Sequence, residues 1–110
     1  MEKEQPKYYE NVYDVVRLIP SGKFTTYGSI ADFLTLGSAR MVGWALNQAL
    51  HLGDVPAHRV VNRKGELSGR IHFATPNLMQ ELLEAEGVSV VDHRIVDFDQ
   101  HYWSPTSLLD

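Results

Sequence analysis

The 110 residues contain no cysteine. That absence excludes disulfides, thiolate metal sites and every cysteine nucleophile, and it leaves the redox compartment open. Long apolar runs are missing too, since no stretch approaches the length of a transmembrane helix. The first ten residues, MEKEQPKYYE, are charged and polar rather than signal-like, so the chain reads as cytoplasmic, with no membrane partner. No repeat, low-complexity segment or linker interrupts it, which predicts one domain over residues 1–110, a monomer without an obvious dimerisation helix. The five histidines, His51, His58, His72, His93 and His101, lack the close spacings a zinc site favours. Neither a metal nor a cofactor is expected.

What is present is an ordinary globular composition, 44% hydrophobic and 22% charged. A net charge of −4 argues at first against nucleic acid, because phosphate binding is electrostatic. The distribution argues the other way. Residues 23–72 hold six basic side chains (Lys23, Arg40, Arg59, Arg63, Lys64, Arg70) against three acids, a net of +3, and the remainder carries −7. A basic middle between acidic ends can present one positive face, although charges scattered over a solvated surface would give the same count.

Along the chain, Val12, Val15, Val16 and Ile19 fall at helical spacing, predicting a helix over 8–19 that Pro20, Ser21 and Gly22 stop. A second helix is expected over 26–36, capped by Thr25 or Thr26, and a third over 39–51 with Ser38 as cap. The third would bury Val42, Ala45, Leu46 and Ala49 and turn Arg40, Gly43, Trp44 and Asn47 outward. Two short helices across a Gly-containing turn form a helix-turn-helix candidate, a motif that also serves as plain core architecture. VVNRKGELSG reads as two short strands around Lys64–Gly65, a wing-like hairpin or bend with a basic tip. A further helix should start with Thr75 as cap and Pro76 at its first position, bury Leu78, Met79, Leu82 and Leu83, and close at Gly87. Residues 88–98 predict a hairpin turning at Asp92–His93, and Tyr102 and Trp103 should pack back on the body. The fold class expected is mainly α with small β hairpins, a winged helix-turn-helix.

The segments IPSGKFTTYGSIA, SARMVGWAL, VPAHRVVNRKGELSG and LLEAEGV occur in an order and spacing similar to the DNA-binding domain of O6-alkylguanine-DNA alkyltransferases, over roughly residues 8–91. Those enzymes dock in the DNA minor groove, turn a damaged guanine out of the stack and move its alkyl group to a cysteine. The cysteine belongs to a Pro-Cys-His-Arg motif. Attack on an alkyl carbon calls for a thiolate, made by a neighbouring histidine that a carboxylate orients. The resemblance places His58 as that base, Glu86 as the carboxylate and Ala57 where the nucleophile belongs. A methyl group has no lone pair, so the resemblance implies no alkyl transfer and no enzyme. His58 and Glu86 are then expected to persist as a structural hydrogen-bond pair, with Arg59 fixing local structure through backbone carbonyls.

The DNA-handling part of the pattern is retained. Tyr27, following Thr26, matches the tyrosine that crowds the target phosphate, and Arg40 matches the arginine that fills the vacated stack. Gly43 would let the helix backbone lie close to the groove. Tyr27, Ala57, His58, Val60 and Arg70 are the implied lesion pocket. Arg70, with a replaced cysteine and a short chain, resembles the alkyltransferase-like proteins, which bind O6-alkylguanine in double-stranded DNA without repairing it and hand it to nucleotide-excision repair. Two other readings stay open: an alkyltransferase inactivated by a Cys-to-Ala change, and a winged-helix transcription regulator.

Overall fold

The computed structural model describes residues 5–110. Residues 1–4, part of the expected 1–110 domain and of the charged N-terminal stretch, lie outside the described residues. Helix α1 (Tyr8–Arg17) buries Val12, Tyr13, Val15 and Val16. It ends two residues before the predicted bound, although Ile19 is still buried.

The cap of α2 (Tyr27–Phe33) is Thr26, whose Oγ1 accepts a hydrogen bond from the Ser29 backbone N–H at 3.0 Å. Helix α2 stops three residues short of expectation because Thr35 adopts a left-handed φ of 55° and Leu36 N–H turns back to the Ala31 carbonyl. Helix α3 (Ala39–Ala49) follows, with Val42, Ala45, Leu46 and Ala49 buried as the periodicity predicts. Ser38 is extended at its start, but its side chain accepts no capping hydrogen bond. Two tyrosines of α1 tie it to α3: Tyr13 Oη donates to the Ala45 carbonyl at 2.8 Å and Tyr8 Oη to the Met41 carbonyl at 3.0 Å.

Of the two forms expected around Lys64–Gly65, the bend forms and the two-stranded ladder does not. Strand β2 (Val60–Val61) instead pairs in parallel with β1 (Thr25–Thr26), Thr25 opposite Val60. The cause is Asn62, whose Oδ1 accepts from the N–H groups of both Lys64 and Glu66, closing a turn in place of a ladder. Gly65 sits in that turn at φ 81°, where an added Cβ would also meet the Phe98 ring at 3.1 Å. The chain leaving the turn joins the predicted hairpin, β3 (Val90–Val91) with β4 (Arg94–Ile95), through Leu67 N–H to the His93 carbonyl. Asp92 and His93 both have positive φ, the geometry of a tight two-residue hairpin turn.

Helix α4 (Leu78–Ala85) starts later than Thr75–Pro76 suggests. Those residues form a separate turn, for which proline's fixed φ is equally suited, and Asn77 precedes the helix without a side-chain cap. Met79 and Leu83 are buried while Leu78 and Leu82 are half-buried, and Gly87 closes the helix at φ 88°.

Two apolar clusters result. The first joins α1, α2 and α3 with Val55, Ala57 and Val60. The second gathers Phe24, Val61, Leu67, Met79, Leu83, Val88, Val90 and Ile95, with Phe73 touching both. The tail packs on the body as expected: Phe24 N–H donates to the His101 carbonyl and Trp103 N–H to the Phe24 carbonyl. The short helix α5 (Phe98–His101) stacks Phe98 on Tyr102 at 5.6 Å, with Phe24 edge-on to both.

Candidate nucleic-acid interface

The outward face of α3 is one wall of a groove of about 500 Å³. Arg40, Gly43, Trp44 and Asn47 line it on the helix side, Tyr27 stands at its base, and Ser68, Gly69 and His72 form the opposite wall. Arg40 is exposed at the helix start and makes no hydrogen bond or ion pair among the described residues. A cation there opposes the helix dipole, so the fold gains nothing from its charge. A Cβ added at Gly43 would meet no atom within 4 Å, so packing within the chain does not require the glycine. What it does leave is bare backbone facing the groove.

Tyr27 occupies the first position of α2, held there by the Thr26 cap. Burial pushes its phenol pKa up, and a hydrogen bond with Ser68 partly opposes that rise. Tyr27 also lines a second hollow of about 420 Å³, with Gly28, Ala39, Asn62, Arg63, Lys64 and Glu66. Tyr27 thus belongs to both the helix groove and a hollow whose exposed rim carries two bases, Arg63 and Lys64, and one acid, Glu66. Ser68 and Gly69 are the site residues that sequence reasoning missed. A Cβ at Gly69 would stand 2.7 Å from Tyr27 Oη, which only glycine avoids. The sequence signal was the small pair Ser–Gly in LSGR, which read simply as the end of a bend.

The Ala57 corner faces elsewhere. Pro56 leads into a 3₁₀ turn, Ala57–Arg59, and Ala57 and His58 line a cavity of about 480 Å³ with Leu50, Leu52, Val55 and Phe73 among its walls. Behind it lies a polar cluster. Glu86 accepts from His58 Nε2 at 2.8 Å, from Arg59 Nη2 at 2.7 Å and from the Gly22 N–H at 3.1 Å. Arg59 Nη1 also donates to the Ile19 carbonyl at 2.8 Å, fulfilling the expected backbone role. Burial alone would push the Glu86 carboxyl up, but the donors Arg59, His58 and Gly22 outweigh it and hold the pKa down at about 2. For His58 burial wins: it lowers the imidazole pKa despite the bond to Glu86, so at neutral pH the ring is uncharged and Nε2 carries the proton.

The five residues implied as a lesion pocket are therefore not gathered in one cavity. Tyr27 lines the helix groove and Ala57 and His58 line the corner cavity. Arg70 lines a third, of about 610 Å³, with Ile71, Phe73, Pro76 and His93. Its Nη1 donates to the Leu67 carbonyl at 3.0 Å, which folds the side chain back on its own loop. Phe73 is shared by the Arg70 and Ala57 cavities. Val60 lines none of them: pairing in β2 buries it completely in the first core, so it supports the corner from behind.

Among the described residues no three His, Asp or Glu side chains gather closely enough to hold a metal ion. No helix among them is long and apolar enough to cross a membrane.

Residues 7–88 match the family of the 6-O-methylguanine DNA methyltransferase DNA binding domain. The chain belongs to that family. Within it, Alkyltransferase-like protein 1 of Schizosaccharomyces pombe is 36% identical over 104 residues, covering 90% of this chain and 96% of its own. A DNA base-flipping protein of Escherichia coli is 36% identical over 107 residues, covering 94% and 79%. In shape, the crystal structure of S. pombe Atl1 in complex with damaged DNA containing O6-carboxymethylguanine matches with a TM-score of 0.79 at 35% identity, covering 94% of this chain and 100% of that one. The alkyltransferase-like resemblance and the mainly helical fold read from the sequence are both borne out.

Proposed function

We propose that this protein captures O6-alkylguanine in double-stranded DNA, with the damaged nucleotide turned out of the helix, and leaves the alkyl group in place. The observation that carries this reading is the Ala57 corner. The base and carboxylate that would serve an acceptor thiol are assembled with Arg59 within hydrogen-bond distance of one another, while the position beside them is a methyl group. The methyl group has no lone pair to accept an alkyl group, and no cysteine exists elsewhere in the sequence to do so.

Each residue then has a physical task. Docked through α3 in the minor groove, with bare Gly43 backbone against the duplex, the protein inserts Arg40 into the stack. Tyr27, braced by Ser68 and Gly69, crowds the phosphate of the target nucleotide. Turning out a base costs a few kcal/mol and less where pairing is already damaged, so plug and push together favour alkylated guanine. The extruded base enters beside Ala57, where the small side chain leaves room for large adducts. Arg70 must leave the Leu67 carbonyl to stack on the base, a cation–π contact worth roughly 0.5–2 kcal/mol. Capture without transfer leaves a marked lesion, which suits delivery to nucleotide-excision repair. Relatives named as a DNA base-flipping protein and as an alkyltransferase-like protein support this assignment.

The test is competitive binding, at one fixed salt concentration, of duplexes carrying guanine or O6-alkylguanines of increasing size, followed by analysis of the recovered DNA. The proposal expects tighter binding to every alkylated duplex and full recovery of the adduct. Equal affinity for modified and unmodified DNA would sink it.

A further inference from the structure

Trp44 is the feature of the helix groove that the reading above leaves unused. Its side chain is 52% exposed, on a helix whose opposite face is fully packed. The indole takes part in none of the aromatic pairs among the described residues, whereas Trp103 packs on the first core. It stands four residues after Arg40 on the same outward stripe and beside Gly43, so arginine, bare backbone and indole face one groove. About half of the residue's surface is left open to solvent.

We propose that Trp44 is a second reader of the minor groove, making capture depend on the base pair next to the lesion. The proposal rests on the docking reading above. Four helical residues advance about 6 Å along the axis, and base pairs are spaced about 3.4 Å, so the indole faces a pair one or two steps from the one Arg40 enters. An indole N–H is a donor and nothing else. The minor-groove floor of an A·T or T·A pair presents acceptors alone, adenine N3 and thymine O2, while G·C adds the guanine 2-amino donor. At A·T the Trp44 N–H therefore finds an acceptor and the ring lies flat on the adjoining sugar. At G·C it meets a second donor that also projects into its space. One hydrogen bond made or lost corresponds to a preference of roughly three- to tenfold for A·T. Because the indole is uncharged, it adds to context preference without adding to the salt dependence that Arg40 confers.

The experiment uses the full chain and O6-methylguanine duplexes whose neighbouring pairs, one and two steps to either side, are A·T, G·C or inosine·C. Inosine keeps the major-groove edge of guanine and lacks the 2-amino group. Wild type should bind the A·T and inosine·C duplexes three- to tenfold more tightly than G·C. Trp44→Phe, which keeps a ring and loses the N–H, should bind all three within twofold of one another. A Trp103→Phe chain, with Trp44 as its sole indole, should change its emission on binding, which an indole remote from DNA would not do. Equal wild-type affinity for the three contexts, or a preference that survives in Trp44→Phe, overturns the proposal. Failure of the underlying lesion reading is a separate result: wild type would no longer prefer alkylated over unmodified DNA. The same context series on unmodified duplexes would then decide Trp44.

Discussion

Replacing Glu86 by Gln changes one oxygen for nitrogen and removes one charge from the cluster behind Ala57. In the native protein the carboxyl is held from the usual 4.5 down to about 2. That gap corresponds to about 3 kcal/mol of folding free energy. With 13% of the Glu86 side chain and 17% of that of Arg59 exposed, little of this is lost to solvent screening. Because the folded pKa is depressed, the contribution is complete above pH 4.5 and disappears as pH falls from 4.5 through 2. Glu86→Gln should therefore flatten the stability profile in that window by about 3 kcal/mol. At pH 7 it should cost about 3–5 kcal/mol, since Arg59 is left as a buried charge without its partner. His58 acts in a different window. Its lowered pKa means that the unfolded chain takes up protons first, so stability falls as pH drops below 6.5, and loss of the raising influence of Glu86 extends that decline. The assay is urea unfolding followed by far-ultraviolet circular dichroism at pH steps from 8 to 2, with unchanged m-values as the condition for comparing midpoints. Parallel profiles for the variant and wild type between pH 5 and 2 would refute the argument that the carboxylate holds this corner.

Other substitutions probe the interface. Arg40→Ala should weaken binding to alkylated duplex at least tenfold while leaving thermal stability within about 0.5 kcal/mol, since the side chain is exposed and unpaired among the described residues. Unchanged affinity in a competition assay would reject the finger role. Gly69→Ala keeps an ordinary φ of −87° but drives a methyl to 2.7 Å from Tyr27 Oη. It should cost about 1–3 kcal/mol of stability in thermal melts and reduce lesion affinity more than Ser68→Ala does. Arg70→Ala should narrow the affinity gap between alkylated and normal guanine more than it lowers affinity for either, measured on paired duplexes. Ala57→Trp should fill the corner cavity and penalise large adducts first; a uniform loss across adduct sizes would place the pocket elsewhere.

Helical periodicity made α1 and α3 legible because their faces are decided by burial within one element, as with Val42, Ala45, Leu46 and Ala49. The tight hairpin was legible because Asp92–His93 suits positive φ. The partner of Val60–Val61 was not. The strand residues run into an asparagine whose side chain captures two backbone donors, and they pair instead with β1, 35 residues earlier in the chain (Thr25 opposite Val60), where no local cue points. Thr75–Pro76 misled for a related reason: the same two residues start a helix or make a turn, and the burial of Met79 and Leu83 decides where the helix begins. In the site, the chemistry of single residues could be read from the chain, as His58 with Glu86 shows. The partition of Tyr27, Ala57 and Arg70 into three hollows depends on how the 68–77 loop packs, which no spacing encodes.

The tail has a consequence for synthesis. Tyr102 Oη lies 2.6 Å from Ser29 Oγ, the residue bonded to the Thr26 cap, across 73 positions of sequence. Trp103 N–H closes on Phe24 just ahead of that cap. Translation releases the tyrosine-bearing helix early and its clasp among the last residues described. A chain that has emerged only through α3 already has the Thr26 cap, but neither the Ser29–Tyr102 nor the Phe24–Trp103 contact that clasps the start of that helix from the far end of the sequence.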